Sequence, residues 1–363
     1  MATPSYVPIL KGKEGEFAAL EALAADIRTA IMPLIEVPSV PFDYANERPS
    51  RTLEEHFAAV SERVRRSWAD RPLYIDLPWI EVDELLPDGR DPVGCMLANC
   101  VRLGIAAVPV VSRSSSPQGL ASAGRHANVA GSGCCIRLLI EDFEEDTDLG
   151  LEIDRILGEI GGIDRNNVDL VLDLEDLGSD AGRALLVARS VLGLIPRENE
   201  WRRVICSASS FPEDLSDVDA STVSTLPRRE WQLWRTLQRR PDRLRRRDLI
   251  YSDYAIAHPI PRELDPRTMR MSANIRYTAH EEWLIMKGRN VRQYGFEQYF
   301  ELCRMLIARP EYYGREFSWG DNYIAQCAER ELGPGNATTW RKVGTNHHIT
   351  VVVNSLRQMQ HGA

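Results

Sequence analysis

Short apolar runs recur along the chain, most ending in carboxylate or hydroxyl side chains and most followed by a stretch with apolar residues at helical spacing. The clearest is Val168-Asp-Leu-Val-Leu-Asp-Leu-Glu-Asp, a β-favouring run that closes on Asp173, Glu175 and Asp176. Runs of the same form lie at 6–10, 31–37, 73–77, 106–112, 135–140, 203–207 and 249–257. Apolar runs of this length between helical segments predict buried parallel strands. Helix faces are marked by Phe17, Leu20 and Leu23, by Leu53, Phe57, Val60 and Val64, and by Leu151, Ile153, Ile156, Leu157 and Ile160, with Gly161-Gly162 as a stop. Further helices are predicted over 93–103, 114–129, 181–194 and 226–244. Eight strands alternating with helices predict an α/β fold, a (β/α)8 TIM-barrel-like single domain.

After the eighth strand the pattern changes. Residues 273–278 and 283–287 predict an inserted β-hairpin turning at Ala279-His-Glu-Glu, and 296–308 would be the last barrel helix. Residues 317–330 and, behind an Asn346 cap, 347–358 predict a C-terminal helical extension. The expected division is a barrel core over 1–260, and over 261–363 the hairpin, the last barrel helix and an extension packing on the barrel.

Composition alters this little: 44% hydrophobic and 27% charged residues are ordinary globular values. A net charge of -9 argues against a general affinity for nucleic acid or anionic membrane. The exception is the stretch 228–247, which carries nine arginines together with Trp231 and Trp234. Their spacing with Leu233 and Leu237 predicts the buried face of an outer barrel helix with arginines on its solvated side, in preference to a nucleic-acid surface. Seven scattered cysteines form no Cys-x-x-Cys pair and read as reduced thiols, with Cys206 a buried filler in preference to a nucleophile. The start lacks signal-peptide features, and no apolar run approaches the roughly 18 residues of a membrane span, so a cytoplasmic protein without membrane contact is expected.

Several blocks carry a family resemblance: Tyr6-Val-Pro-Ile-Leu-Lys-Gly-Lys-Glu-Gly-Glu, Pro33-Leu-Ile-Glu-Val, Arg229-Glu-Trp-x-Leu-Trp, Asn274-Ile-Arg-Tyr-Thr with Glu282-Trp, Phe317-Ser-x-Gly-Asp-x-x-Ile, and Trp340-Arg-x-x-Gly-Thr-Asn-His-His-Ile-Thr. In these the chain resembles the beta family proteins of temperate and satellite phages and bacterial genomes. The resemblance implies one compact unit and a role in phage–host conflict, and it implies no particular reaction.

Strand C-termini in a barrel form one mouth, so Lys11, Glu36, Asp76, Ser112, Glu141, Asp173, Ser207 and Asp253 are expected to gather there. Converging carboxylates raise one another's pKa unless a cation compensates, and two solutions stay open. In one, Glu36, Asp76 and Asp173 ligate Mg²⁺ or Mn²⁺ as hard oxygen donors. Asp253 then serves as base, Lys11 and Arg276 hold an anionic group, and Ser207 and Ser209 hold a phosphate. In the other, two carboxylates work as acid and base without metal, as in glycoside hydrolysis. His347 or His348 is expected to reach the mouth as a catalytic residue on a helix packed against the barrel. The function expected is a phage-defence-associated, cation-dependent enzyme, such as a hydrolase, acting on a phosphorylated or otherwise polar ligand. The alternative is a non-catalytic barrel that recognises a partner protein encoded nearby.

Overall fold

The computed structural model describes residues 3–68, 71–81, 85–143, 148–197, 199–239, 249–261 and 271–361. In chain order the first part runs β1 (Tyr6–Leu10), α1 (Glu14–Glu21), α2 (Ala25–Ala30), β2 (Leu34–Glu36), a small ribbon of β3 (Phe42–Asp43) and β4 (Arg48–Pro49), α3 (Leu53–Trp68), β5 (Leu73–Asp76), α4 (Pro92–Arg102) and β6 (Ala107–Val111). It continues with α5 (Pro117–Ala130), β7 (Cys134–Leu139), α6 (Leu149–Glu159), β8 (Val168–Asp176), α7 (Ala181–Leu194), β9 (Arg203–Ser209), β10 (Thr222–Pro227), α8 (Arg229–Arg239) and β11 (Ile250–Asp253). The last part holds β12 (Ser272–Thr278), β13 (Glu282–Asn290), α9 (Val291–Tyr294), α10 (Gln298–Ile307), α11 (Trp319–Ala328) and α12 (Ala337–His361).

Eight of these strands close into a barrel in the ring order β1, β2, β5, β6, β7, β8, β9, β11, with every pair parallel. The expected (β/α)8 TIM-barrel-like fold is therefore present. Side chains alternate between two cores, as the strand period of two requires. Leu170, Leu172 and Leu174 of β8 join the shell shared with the helices, whereas Val171 joins Val7, Ile9, Leu34, Val108, Val110, Ile205 and Ile250 inside the barrel. Local sequence fixes where the helices begin. Asp91 before Pro92 caps α4 by accepting from Gly94 N, and Ser116 before Pro117 caps α5 by accepting from Gly119 N.

The C-terminal part differs from expectation in three ways. The hairpin is present as β12 and β13, but β10, from the middle of the chain, adds a third antiparallel strand beside β13. Its run, Thr222-Val-Ser-Thr-Leu-Pro, is too weakly apolar to stand out in the sequence. The helix at 298–307 packs on α11 and this sheet, not on the barrel. The helix that closes the ring is α12, which begins at Ala337 rather than near 347 and packs on α1, α2 and β1. Its first half carries Trp340 and Val343 into the core of the three-stranded sheet, and its second half carries Ile349, Val352, Val353 and Leu356 into the barrel shell. Helix α8 buries Trp231, Leu233 and Trp234 as expected, but Arg228 at its start is fully buried rather than solvated, and residues 240–248 of the arginine-rich stretch lie outside the described residues. No helix among the described residues is long and apolar enough to cross a membrane.

Two glycines test this packing in opposite directions. A Cβ on Gly320 of α11 would sit 2.5 Å from the carbonyl oxygen of Val343 in α12, whereas one on exposed Gly193 of α7 meets nothing within 4 Å. Gly320→Ala is expected to cost about 1–3 kcal/mol, as overpacking does. Gly193→Ala is expected to add up to about 1 kcal/mol by restricting the unfolded chain. Urea midpoints of the two variants check both signs.

Candidate active site at the barrel mouth

The inward positions near the strand C-termini are Lys11 after β1, Glu36 on β2, Asp76 on β5, Arg137 on β7, Asp173 on β8, Ser207 on β9 and Tyr254 after β11, all of them buried. The backbone turn behind Lys11 depends on Gly12. Its φ is +61°, and a Cβ there would lie 2.7 Å from the carbonyl oxygen of Glu36. Lys-Gly-Lys therefore brings the Lys11 ammonium against β2, where Nζ lies 2.5 Å from Glu36 Oε2.

Arg137 is the centre of the group. Nη1 lies 2.9 Å from Glu36 Oε1 and 2.6 Å from Asp76 Oδ2, while Nε and Nη2 donate to Asp173 Oδ2 at 3.0 and 2.6 Å. Nη2 also donates to the Tyr254 hydroxyl, which in turn donates to Asp173. Burial alone would depress the Arg137 pKa, but Tyr254, Asp173, Glu36 and Asp76 outweigh it and hold the guanidinium firmly charged. Burial lowers the Lys11 pKa against the pull of Glu36, and raises that of Asp76 against the pull of Arg137. Trp79 donates to Glu36 Oε2 at 3.0 Å, and the Lys11 ammonium lies over the Tyr254 ring, 4.5 Å from its centre.

The mouth is thus charged, as the sequence predicted, with Lys11 compensating Glu36. The cation between the three carboxylates is an arginine, in the place expected of Mg²⁺ or Mn²⁺. Glu36, Asp76 and Asp173 each already face Arg137, and no group of three or more potential ligands fit to hold a metal ion is found among the described residues. As the side chains lie, the group does not fit a divalent cation. Arg137 escaped notice in the sequence because a charged residue inside Cys134-Cys-Ile-Arg-Leu-Leu breaks no period, although that oddity in a doubly buried strand was the available signal.

Asp253 needs correction. Ile250 of β11 faces into the barrel, so Asp253, three positions on, faces out. There it accepts from Tyr6 and Tyr251, whose hydroxyls lie 2.5 and 2.8 Å away, and from His348 Nε2 at 3.0 Å. It has no place as a base in the mouth. The histidines are corrected with it: helix α12 packs on the barrel as expected, but it buries both side chains completely, away from the mouth. His348 takes the Thr278 hydroxyl on Nδ1, while His347 donates to Asp321 and to the carbonyl of Thr278, both at 2.8 Å, and stacks on Tyr277. Asn346 bridges Gly320 N and Ala19 O. The Gly-Thr-Asn-His-His block joins α12 to the barrel and to the three-stranded sheet.

The remaining candidates divide. Ser207, paired in register with Asp173, is fully buried, and its Oγ has no hydrogen-bond partner among the described residues. Ser209 instead serves its own turn, accepting from Phe211 N; Asp142 likewise accepts from Leu139 N, and the Ser112 amide donates to Ser115 Oγ. Arg276 of β12 donates to the carbonyl of Ile256, in the loop after β11, and stacks on Phe211. Cys206 is a filler as expected, its thiol pushed up to about 12 by burial. Glu175, absent from the expected list, sits at a register shift in β8 with φ of +51° and donates its amide to Asp173 Oδ1. Burial, and then Asp173, raise its carboxyl pKa. Non-glycine residues in this backbone region carry strain that clusters at functional sites.

Arg137→Met is expected to cost about 3–5 kcal/mol, because it strands buried carboxylates. Mg²⁺ should leave the melting temperature of the natural chain unchanged and raise that of the variant, as differential scanning fluorimetry would report. A second expectation concerns pH. Burial lowers the His348 pKa below its ordinary 6.5, so the unfolded chain takes up the proton first. The stability His348 contributes is present above pH 6.5 and lost as pH falls below it. His348→Gln should flatten that part of the stability profile in denaturant titrations between pH 5 and 8.

Solved structures align at low identity and low TM-score. A GH138 enzyme targeting the pectin rhamnogalacturonan II aligns at 10% identity and a TM-score of 0.36, over 85% of this chain and 42% of that one, so the chain spans less than half of that enzyme. A protein from Aquifex aeolicus VF5 aligns at 10% identity and 0.25, and tryptophan synthase from M. tuberculosis at 13% and 0.23, each over 56% of this chain and 82% of the other. No curated protein matches. The model of the Beta protein family matches residues 6–354, the span that holds the mouth, the second sheet and the greater part of α12, and the chain belongs to that family.

Proposed function

We propose that the barrel mouth is a ligand site for a small polar molecule, and that the chain works there as an enzyme in the phage–host conflict its family resemblance implies. The observation that carries this reading is the concentration of cost. Lys11, Glu36, Asp76, Arg137 and Asp173 come from five strands to one buried layer, directly above a barrel interior of Val, Ile and Leu. Apolar residues of similar volume would stabilise such a layer as well or better. A carboxylate at the opposite, N-terminal end offers the contrast. Asp169 is clamped by Arg202 at 2.6 and 2.8 Å and by Tyr74 at 2.7 Å, an arrangement that closes the barrel floor.

In the mouth, Asp76 is the most exposed of the three carboxylates and its raised pKa suits it to hold or release a proton. Glu175, whose amide donates to Asp173 Oδ1, is a second acid or base at the mouth, while Lys11 and Arg137 offset negative charge that develops on the ligand. Cation dependence is no part of this reading, since Arg137 supplies the central positive charge.

The second reading, a non-catalytic sensor that recognises a partner protein, is favoured by one feature: Lys11 and Arg137 are paired with the protein's own carboxylates. Asp76→Asn separates the two. It is expected to cost only about 1 kcal/mol, as loss of one hydrogen-bonded charge at the edge of the group does, yet to abolish protection of a host in phage plating assays. Full protection by the variant sinks the enzyme reading. Protection lost together with a partner otherwise retained on co-purification supports the sensor.

A further inference from the structure

Beside the mouth lie three cations, of which one, Arg341, is paired with a carboxylate. Lys13, exposed at the start of α1, commits its amide to Glu16 Oε2 at 3.0 Å, and its ammonium has no carboxylate within ion-pair reach among the described residues. Arg341 of α12 pairs at 3.3 Å with the other oxygen of that same Glu16. Arg276 has no carboxylate partner among the described residues. Its Nη1 donates to the carbonyl of Ile256 at 2.8 Å, its Nε to Asn274 at 3.3 Å, and its plane lies on the Phe211 ring at 4.7 Å. Of the five N–H groups of a guanidinium, these contacts use two.

The backbone brings the three together. A Cβ on Gly15 would lie 2.8 Å from the Cβ of Arg341, so α1 and α12 touch two residues from Lys13. Gly344, on the same face of α12 as Arg341 and one turn on, would place a Cβ 3.0 Å from the carbonyl oxygen of Arg276. Glycine at both positions lets α1, α12 and β12 close up around one point at the barrel rim. That point adjoins the mouth: Arg276 holds the Ile256 carbonyl, and Lys11 donates to Pro259 in the same loop.

We propose that Lys13, Arg276 and Arg341 form a seat for a phosphate group, through which a phosphorylated ligand is held at the rim with its remainder directed to the mouth. Like charges at close range repel, and this group retains a surplus of positive charge after Glu16 is counted. Burial and the neighbouring Arg341 push the Arg276 pKa down to about 9, and although the Lys13 side chain reaches solvent, desolvation by the groups packed around it, and then Arg341, lower its pKa too. A dianion relieves both. The compactness of the group and the chain's net charge of -9 favour one small phosphate over a nucleic-acid track. The seat names the substrate class for the mouth reading above, but it does not depend on catalysis there.

The test uses the full chain with inorganic phosphate and pyrophosphate as probes, and chloride at matched ionic strength as control, read by thermal shift and isothermal titration calorimetry. Phosphate is expected to raise the melting temperature and chloride is not. Lys13→Met, a change at an exposed side chain, should weaken phosphate binding at least tenfold, and Arg276→Met should do the same. Should Arg276→Met fail to fold, Lys13→Met decides alone. Asp76→Asn should bind phosphate as the natural chain does. No phosphate effect on the natural chain, or equal binding by Lys13→Met, overturns the seat. Binding lost in Asp76→Asn but kept in Lys13→Met also overturns it, and moves the anion into the mouth, leaving the reading of the mouth intact.

Discussion

One buried guanidinium determines how the upper layer of this barrel is built. Three carboxylates from β2, β5 and β8 cannot share a buried space as anions without a compensating charge, and Arg137 on β7 supplies it with contacts to all three. Because the planar guanidinium presents its donors in a fixed fork, the same contact that neutralises Glu36, Asp76 and Asp173 also fixes where their oxygens lie. Tyr254 and Lys11 complete the layer from β11 and β1. A metal ion would impose its own coordination geometry and would need those oxygens free. The arginine fixes the layer through the protein's own side chains.

A second constraint lies outside the barrel. Asp253, Tyr6, Tyr251 and His348 form one buried network with Thr278, while Arg228 with Glu230 lies against it. Through it, the last barrel strand, the three-stranded sheet and α12 are locked to one another. Of the blocks by which the sequence resembles its family, most build this joint: Arg229-Glu-Trp, Asn274-Ile-Arg-Tyr-Thr, Phe317-Ser-x-Gly-Asp and Gly-Thr-Asn-His-His all contribute side chains to it or to its surroundings. Only Lys11-Gly-Lys and Pro33-Leu-Ile-Glu build the mouth. The joint reaches the rim as well, since the strand that carries Thr278 also carries Arg276.

The barrel was legible because each strand, buried on both faces, reads as an apolar run with a polar end. That same property hides which side chains point inward. A run apolar on both faces carries no alternation, so Glu36, Asp76 and Asp173 were placed in the mouth correctly, while Asp253, outward by one position, was placed there on equal grounds. Arg137 is hidden for a related reason: it lies within its strand, where a single charge marks no strand end. The histidine pair stands in a polar block near the chain end, and the order there has a packing cause. The full length of α12 is masked in the sequence because Thr345 and Asn346, buried in the structure, look like a helix start when their partners are unknown.

The account stands or falls on Arg137 as the central charge of the mouth. Its Nε–H proton, which donates to Asp173 at 3.0 Å inside the barrel, is directly observable by ¹⁵N-resolved NMR of arginine side chains. The account predicts a protected, slowly exchanging signal that persists from pH 6 to 9, shifts in Asp173→Asn, and disappears in Arg137→Met. A signal that exchanges with water as fast as those of surface arginines, or that is indifferent to Asp173→Asn, would contradict it.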